Sequence, residues 1–327
     1  MKQPVTIREV ARVSGVHHSV AGAVLNGTKG NTRVSPSTRD RVREAAEDLG
    51  YQPNESAQNL RGGTSTNVCL AGGDLRNPFF AELAVKLEAA LLQSGLRLLI
   101  THAAQSREDR HKMVASLRQR HSIRTMIYWE EPTEAEPDHW QKEMTPHVIP
   151  IGYTLSPRPG VWLNLAHGMR LAVSALTSRG RHKLGFYLPG SDQESQGIVT
   201  RRQAFLEECR AADLPPPVVC TFQGDSYDIA SATRDARPTL AQNPEVEGWV
   251  GFNDIASLAL LMARSSRNDT PEVFCFDGTA IAREWPGSPP FLDLHLDDMV
   301  KQCAEIIAKD LQLAEGIVVQ PTPGKRV

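Results

Sequence analysis

From residue 66 onward, short apolar runs alternate with longer amphipathic segments, and this alternation limits the possible folds more than any other feature. Val68–Ala71 and Leu96–Thr101 are typical of buried strands, and residues 79–95 between them repeat apolar side chains at helical spacing. The alternation repeats in a second series of predicted strands and helices as far as Val273–Phe276. It predicts parallel sheets with helices on both faces. The two series of elements predict two Rossmann-like lobes with a ligand cleft between them.

The first 50 residues have a different texture and predict three short helices. Thr6 and Glu9 have the spacing of a capping box, and Gly15 is placed to end the first helix. A second apolar stripe follows at once, and Ser35–Pro36 is typical of the start of a third helix. Two short helices joined by a turn and braced by a third indicate either a helix-turn-helix head or a generic three-helix bundle. The apolar pattern alone leaves both readings open.

The distribution of charge favours the helix-turn-helix reading. The whole chain contains 36 Lys and Arg residues and 38 Asp and Glu residues, and the resulting formal charge of −2 by itself argues against a nucleic-acid partner. However, residues 1–63 hold nine basic and six acidic side chains, so this segment carries +3 and the remainder −5. We therefore expect the N-terminal segment to face phosphates.

Composition and sequence patterns also exclude several classes of protein. No apolar run approaches the roughly 18 residues of a membrane span, and the N-terminus has no secretory apolar region, which predicts a cytoplasmic protein. The five cysteines form no CxxC pair, so we expect buried thiols rather than a metal site. Phosphate-loop, GxGxxG, GxSxG and HExxH motifs are all missing, and we expect neither an enzyme nor a cofactor.

Several motifs in the same order resemble the LacI/GalR (lac repressor) family over essentially the whole chain. They are Val5–Ala11, Val24–Gly27, Val34–Arg39, Leu49–Asn54, Ala57–Arg61, Asn77–Phe80, Phe252–Asp254 and Cys275–Gly278. The resemblance implies a homodimeric transcriptional regulator, in the repressing direction, that binds a pseudo-palindromic DNA operator. It also implies that a small-molecule effector, a sugar or a related metabolite, controls operator affinity. The alternative is a small-molecule-sensing binding protein with a degenerate DNA-binding head.

The resemblance implies an all-α helix-turn-helix head followed by an α/β two-lobed domain similar to periplasmic binding proteins. The head would span residues 1–50, the hinge 51–65 and the effector-binding and dimerisation domain 66–327. Three crossovers are expected near residues 161, 293 and 315. They would divide the larger domain into a first lobe (66–160 and 295–314) and a second lobe (161–292 and 315–327).

The resemblance also implies which residues contact DNA. The second helix would enter the major groove, and the paired hinge helices would enter the minor groove, where Leu60 would wedge between base pairs. Where the family has small hydroxyl residues, this chain has His17, Val20 and Gly22, which predicts an unusual operator sequence and weaker binding to DNA. The alternatives are a solvent-exposed role for the histidines and a flexible linker whose Leu60 covers the head. The DNA-contact candidates are Thr6, His17, His18, Ser19, Ala23, Asn26, Asn54, Ala57 and Leu60.

A second group of residues is expected to line the effector cleft. Arg201 occupies the position of the family's cleft arginine, and Asn253 and Asp277 follow strand ends, where side chains face a crevice. Phe79 or Phe80 would supply an apolar wall. The alternative for Arg201 is a surface salt bridge, and Asp254 is expected to cap a helix rather than bind ligand. Tyr153, Ser226 and Asn164 depart from the family pattern, which makes a simple hexose a less secure assignment.

Overall fold

The structure is a computed structural model that describes residues 5–25, 34–51, 66–101, 112–113, 116–117, 123, 125–130, 148–154, 159–190, 196–224, 227–264, 271–287, 289–311 and 315–324. The chain forms two compact units, and the larger one begins at Thr66. Among the described residues, none of the helices combines the length and the apolar character that crossing a membrane requires.

The N-terminal unit contains the three predicted helices, α1 (Ile7–Ser14), α2 (His18–Leu25) and α3 (Pro36–Asp48). At the start of α1, the Glu9 carboxylate accepts hydrogen bonds from the Thr6 backbone N–H at 2.7 Å and from the Thr6 hydroxyl at 3.0 Å. Gly15 ends α1 in the left-handed conformation (φ 66°), which glycine adopts without steric cost. A small apolar core holds the helices together and contains Val10, Ala11, Ala21, Val42, Ala45 and Ala46.

The first sheet of the larger unit has six parallel strands in the order β11-β5-β4-β3-β1-β2. Helices α4 (Pro78–Leu92) and α10 (Leu296–Ala308) pack against each other in this lobe. The strands are β1 (Asn67–Ala71), β2 (Arg97–Thr101), β3 (Thr125–Glu130), β4 (Val148–Thr154), β5 (Gly160–Asn164) and β11 (Gly316–Val319).

This sheet corrects the predicted division between the lobes. Residues 161–164 and 316–319 were expected in the second lobe, but β5 pairs with β4, and β11 pairs with β5 in the first sheet. The buried, apolar strand Val161–Leu163 is more favourable as a paired strand than as a connection, because its backbone groups need partners. The first crossover therefore lies after Asn164, where helix α5 (Leu165–Thr177) begins, and not at residue 161.

The second sheet has four parallel strands in the order β7-β6-β8-β9, and a short antiparallel pair joins β10 to β12. The strands are β6 (Leu184–Gly190), β7 (Val218–Gln223), β8 (Gly248–Gly251), β9 (Glu272–Phe274), β10 (Leu292–Asp293) and β12 (Thr322–Pro323). The helices are α5 (Leu165–Thr177), α6 (Gln196–Ala211), α7 (Ile229–Gln242), α8 (Asp254–Ala263) and α9 (Ala280–Arg283). The predicted two-lobed α/β architecture is thus confirmed.

The largest apolar core runs through both lobes. It joins side chains of α4 and the first sheet, such as Leu83 and Ile127, to side chains of the second lobe, such as Phe186 and Phe276. All five cysteines are free thiols, and all except Cys220 are fully buried. Burial raises the pKa of Cys69 to about 11, because the thiolate is poorly solvated in this core.

Candidate functional site

Arg201 and Asp277 meet where the two lobes face each other. Arg201 lies in the first half of α6, and Asp277 follows the end of β9. The Arg201 Nη1 atom lies 3.7 Å from Asp277 Oδ1, and it also donates a hydrogen bond to the backbone carbonyl of Phe252. Tyr153, in β4 of the first lobe, donates its hydroxyl to the same Asp277 oxygen at 3.2 Å. The site therefore takes side chains from both lobes.

Aromatic rings surround the arginine. The Arg201 Cζ atom lies 4.4 Å from the ring centre of Tyr153, 4.6 Å from that of Phe252 and 5.3 Å from that of Phe276. A guanidinium group at these distances is attracted to the ring faces, and the attraction is larger when water is excluded. The Arg201 side chain is only 11% exposed. These contacts exclude the alternative prediction of a surface salt bridge for this residue.

The aromatic surface continues into the first lobe. Phe79 and Phe80 open α4, and both rings contact Trp129 edge to face, with centre distances of 5.2 and 4.8 Å. Trp129 in turn lies 5.8 Å from the ring of Tyr153. Phe79 and Phe80 therefore belong to the same cluster as Arg201 and Asp277, where they form an apolar wall.

The Asp277 carboxylate is buried, and its bonding capacity is only partly used. Its side chain is 1% exposed, and its Oδ2 atom makes no hydrogen bond to any residue that the structure describes. Burial raises the pKa of Asp277 above its ordinary value, while Arg201 and the Tyr153 hydroxyl act in the opposite direction. A buried carboxylate oxygen of this kind is expected to accept a hydrogen bond from a donor that binds beside it.

Asn253 and Asp254 have structural contacts that differ from the sequence prediction. Asn253, not Asp254, is the N-cap of α8, since its Oδ1 accepts from the Ala256 N–H at 2.9 Å. Asp254 is fully buried and accepts from the backbone N–H groups of Asp277, Gly278 and Thr279 at 3.0, 3.3 and 2.7 Å. Burial, followed by the charge of Asp277, raises the pKa of Asp254 above its ordinary value. Asp254 thus fixes the loop that presents Asp277.

The structure brings four of the five predicted effector residues into one cluster, and the fifth lies beside it. Phe79, Phe80, Arg201 and Asp277 are linked through ring contacts and the ion pair, whereas Asn253 follows Phe252 and caps α8. Sequence reasoning did not select Trp129, Tyr153, Phe252 or Phe276 as contacts. The available signal was that each aromatic residue lies in the last part of a strand or within two residues of its end.

In the N-terminal unit, four of the five described DNA-contact candidates are exposed. His17, His18, Ser19 and Thr6 are exposed, and Ala23 is half-buried. His17 Nδ1 lies 2.8 Å from the Ser19 hydroxyl oxygen at the start of α2, and the two imidazole ring centres are 4.1 Å apart. This places polar groups on the outer side of α2, away from buried Ala21. Asn26, Asn54, Ala57 and Leu60 lie outside the described residues.

Among the described residues, no group of three or more His, Cys, Asp or Glu side chains is arranged to hold a metal ion. The candidate site itself combines one cation, one partly satisfied carboxylate and a wall of aromatic rings. These groups suit a small molecule that carries hydrogen-bond donors and an apolar face.

Comparison with known proteins assigns relatives to both units. Residues 6–54 match the family model described as bacterial regulatory proteins, lacI family. The ribose operon repressor of Bacillus subtilis (strain 168) is 26% identical over 97% of this chain and 95% of its own length. Among solved structures, a lac repressor dimer bound to operator and the anti-inducer ONPF superposes with a TM-score of 0.81 at 17% identity, covering 99% of this chain and 98% of that chain. The transcriptional regulator CelR in complex with cellobiose gives 0.62 at 21% identity, covering 98% and 99%.

Proposed function

From the match of residues 6–54 to the lacI family model, we propose that this chain is a member of that family and a transcriptional repressor acting on DNA in the cytoplasm. A small molecule bound between its lobes would control its affinity for operator DNA. We assign it a regulatory and not a catalytic role. The observation that carries the effector assignment is the buried Asp277 carboxylate, whose Oδ2 has no partner among the described residues and which lies beside Arg201.

The effector would interact with both lobes at once. Arg201 and Asp277 come from the second lobe, whereas Phe79 and Tyr153 come from the first, so a ligand held among them favours one relative position of the lobes. A ligand can shift operator affinity only to the extent that it binds one of the two arrangements more tightly. By analogy with the relatives, which are operon repressors and a cellobiose-bound regulator, we propose a sugar or a related metabolite.

DNA would be read by α2, with His17, His18, Ser19 and Ala23 towards the bases and phosphates. The exposed side of α2 supports this assignment, because its polar groups are accessible while Ala21 packs on α1 and α3. Asn26 would contact phosphate, and Asn54, Ala57 and Leu60 would form the hinge contacts in the minor groove. Thr6 would lie near the phosphate backbone of the DNA, because the N-terminus of α1 is the positive end of the helix dipole.

We further propose that the operator-bound form is a homodimer. Val85 and Leu92 are seven residues apart on α4 and are 70% and 43% exposed, while Leu99 and Ile100 are exposed on the edge strand β2. A neighbouring exposed apolar helix and strand edge are expected to be covered by another protein surface. A second copy would bring two heads, each with charge +3, to the two halves of a palindrome.

The test is selection of bound fragments from genomic DNA by the full chain, followed by competition with pentoses, hexoses and disaccharides. We expect enrichment of a palindromic site and release by one member of the panel. Replacing His18 by Ala should reduce enrichment, and Arg201→Lys should abolish the sugar response. Arg210→Lys is the matched control, because Arg210 is exposed in the last turn of the same helix.

The alternative, a sensor with a degenerate head, makes a different prediction. In that case the panel would still stabilise the protein in a thermal-shift assay, but no fragment would be enriched over bulk DNA. Enrichment without any response to small molecules would contradict the effector assignment. A monomer in light scattering, unchanged by Val85→Glu, would contradict the dimer.

A further inference from the structure

Glu82 connects the first lobe to the loop that carries Asp277. It lies in α4 two residues after Phe80. Its Oε1 atom accepts a hydrogen bond from the Ala280 backbone N–H at 2.5 Å, and its Oε2 atom pairs with Arg283 Nη2 at 3.2 Å. These partners are about 200 residues away in the sequence and belong to the second lobe.

The loop between Asp277 and Arg283 has little freedom within the second lobe. Asp254 holds the N–H groups of residues 277–279, and Arg283 Nη1 donates to the carbonyl oxygen of Gly278 at 2.5 Å. Gly278 adopts φ +58°, and a Cβ there would lie 1.8 Å from the carbonyl oxygen of Leu292. A displacement of Asp277 is therefore expected to move the loop as one piece, including the N–H and the guanidinium group that contact Glu82.

The helix that carries Glu82 also carries the other relevant surfaces of the first lobe. Phe79 and Phe80 begin the helix and face the aromatic cluster, and Val85 follows Glu82 on the exposed face that we assign to the second copy. Each oxygen of the Glu82 carboxylate has its own partner in the loop. The Glu82 side chain thus joins the loop that carries Asp277 to helix α4, whose exposed face we assign to the second copy.

We propose that Glu82 is a positioning residue that couples the effector loop, residues 277–283, to helix α4. The proposal rests on the proposed function, because it assigns this contact to the path between the effector site and the dimer surface. Removal of Glu82 leaves Asp277 and Arg201 in place within the second lobe, and changes at Asp277 then reach α4 only through Tyr153 and the rings at the start of the helix. A purely stabilising ion pair would instead add to stability without transmitting such changes.

Hydrogen–deuterium exchange of the full chain tests the coupling without DNA or an effector. The perturbation is Asp277→Asn, and the readout is the exchange of peptides covering residues 277–284 and 81–92. In the wild-type background we expect D277N to alter exchange in both segments. In the Glu82→Ala background, Ala280 should exchange about tenfold faster or more, because its N–H loses a charged acceptor, and D277N should alter residues 81–92 much less than it does in the wild-type background.

Lys86→Ala is the matched control. Lys86 lies one helical turn after Glu82 and pairs with Asp297 at 2.6 Å, within the first lobe. In that background D277N should still alter exchange in α4. Glu82→Gln is the second variant should E82A not fold, since it keeps the size of the side chain and loses the charge that pairs with Arg283.

An effect of D277N on residues 81–92 that is undiminished without Glu82, or that is equally diminished in K86A, overturns the proposal. Unchanged exchange at Ala280 in both Glu82 variants overturns it as well. None of these outcomes bears on DNA selection or on release by a sugar. Failure of the coupling and failure of the proposed function are therefore distinguishable.

Discussion

Replacement of Arg201 by Met tests whether the buried ion pair is required by the fold. Methionine fills much of the same space and can stay in contact with the rings of Tyr153 and Phe252, so the main loss is the charge facing Asp277. Removing one partner of a buried pair costs about 3–5 kcal/mol, because the other charge is left uncompensated. The 3.7 Å separation is longer than a charge-assisted hydrogen bond, so we expect the lower end, about 3 kcal/mol.

The double variant separates this loss from the loss of packing. In R201M/D277N the unpaired carboxylate is absent, and stability should return towards that of wild type. The coupling energy of the cycle should be at least about 2 kcal/mol, within the range for residues in direct contact. For the single variant R201M, a loss of about 3 kcal/mol corresponds to a fall in Tm of roughly 6–12 °C.

The assay is urea unfolding of the full chain followed by tryptophan fluorescence. All five tryptophans lie after residue 66, so their emission reports the larger unit and not the head. The pH dependence provides a second, independent readout. Burial already raises the pKa of Asp277, and loss of Arg201 removes a group that lowers it, so the pKa rises further in R201M.

A carboxyl whose pKa is raised in the folded state contributes stability at low pH, and this is lost as the pH rises through the folded pKa. The deficit of R201M relative to wild type should therefore be larger at pH 8 than at pH 5.5, and D277N should remove the difference. Strictly additive single variants, or a deficit that does not change with pH, would refute the account of this pair.

Three further predictions concern the loop, the head and the thiols. Gly278→Ala should lower the free energy of unfolding by about 3 kcal/mol or more, because the added Cβ clashes with Leu292. The control Gly287→Ala has open space around it and should cost only backbone strain of about 1 kcal/mol. Equal losses in the two variants would contradict this prediction. Ser35→Ala should destabilise α3 by about 1 kcal/mol through loss of the cap to the Thr38 N–H, seen as faster amide exchange in α3 alone; unchanged exchange would argue against the cap. Burial raises the pKa of all five cysteine thiols, so at pH 8 a chromogenic disulfide reagent should react slowly with the native protein and should detect five thiols after unfolding. Rapid reaction of more than one thiol in the native protein would contradict this prediction.

The elements with strong local signals were predictable from the sequence. The spacing of Thr6 and Glu9 and the position of Gly15 identified the first helix, and the alternating apolar runs identified the parallel sheets. These signals depend on residues that are close together in the chain. The order of strands and the exact residue at which the chain changes lobes depend on distant pairings, such as β5 with β11, that local patterns do not contain.

The same distinction applies to the candidate site. Arg201, Asp277 and the two phenylalanines came from motifs, and the structure places them in one cluster. Asn253 was predicted to contact the effector and Asp254 to cap the helix, but Asn253 is the cap and Asp254 holds the N–H groups of residues 277–279; either side chain can cap a helix, and only the folded loop distinguishes them. The contribution of Trp129 needed the packing of α4 on β3, which no sequence spacing specifies.

The position of β11 has a consequence for synthesis of the chain. This strand covers the outer edge of β5 but follows it by about 150 residues. At roughly 5–20 residues per second, β5 therefore has an uncovered edge for something like 8–30 s while translation continues. The second sheet consists of contiguous residues between 184 and 274 and can form during that interval. We expect nascent chains released before residue 316 to expose the unpaired edge of β5, so that the first lobe of the newly made chain is exposed to aggregation until β11 is added.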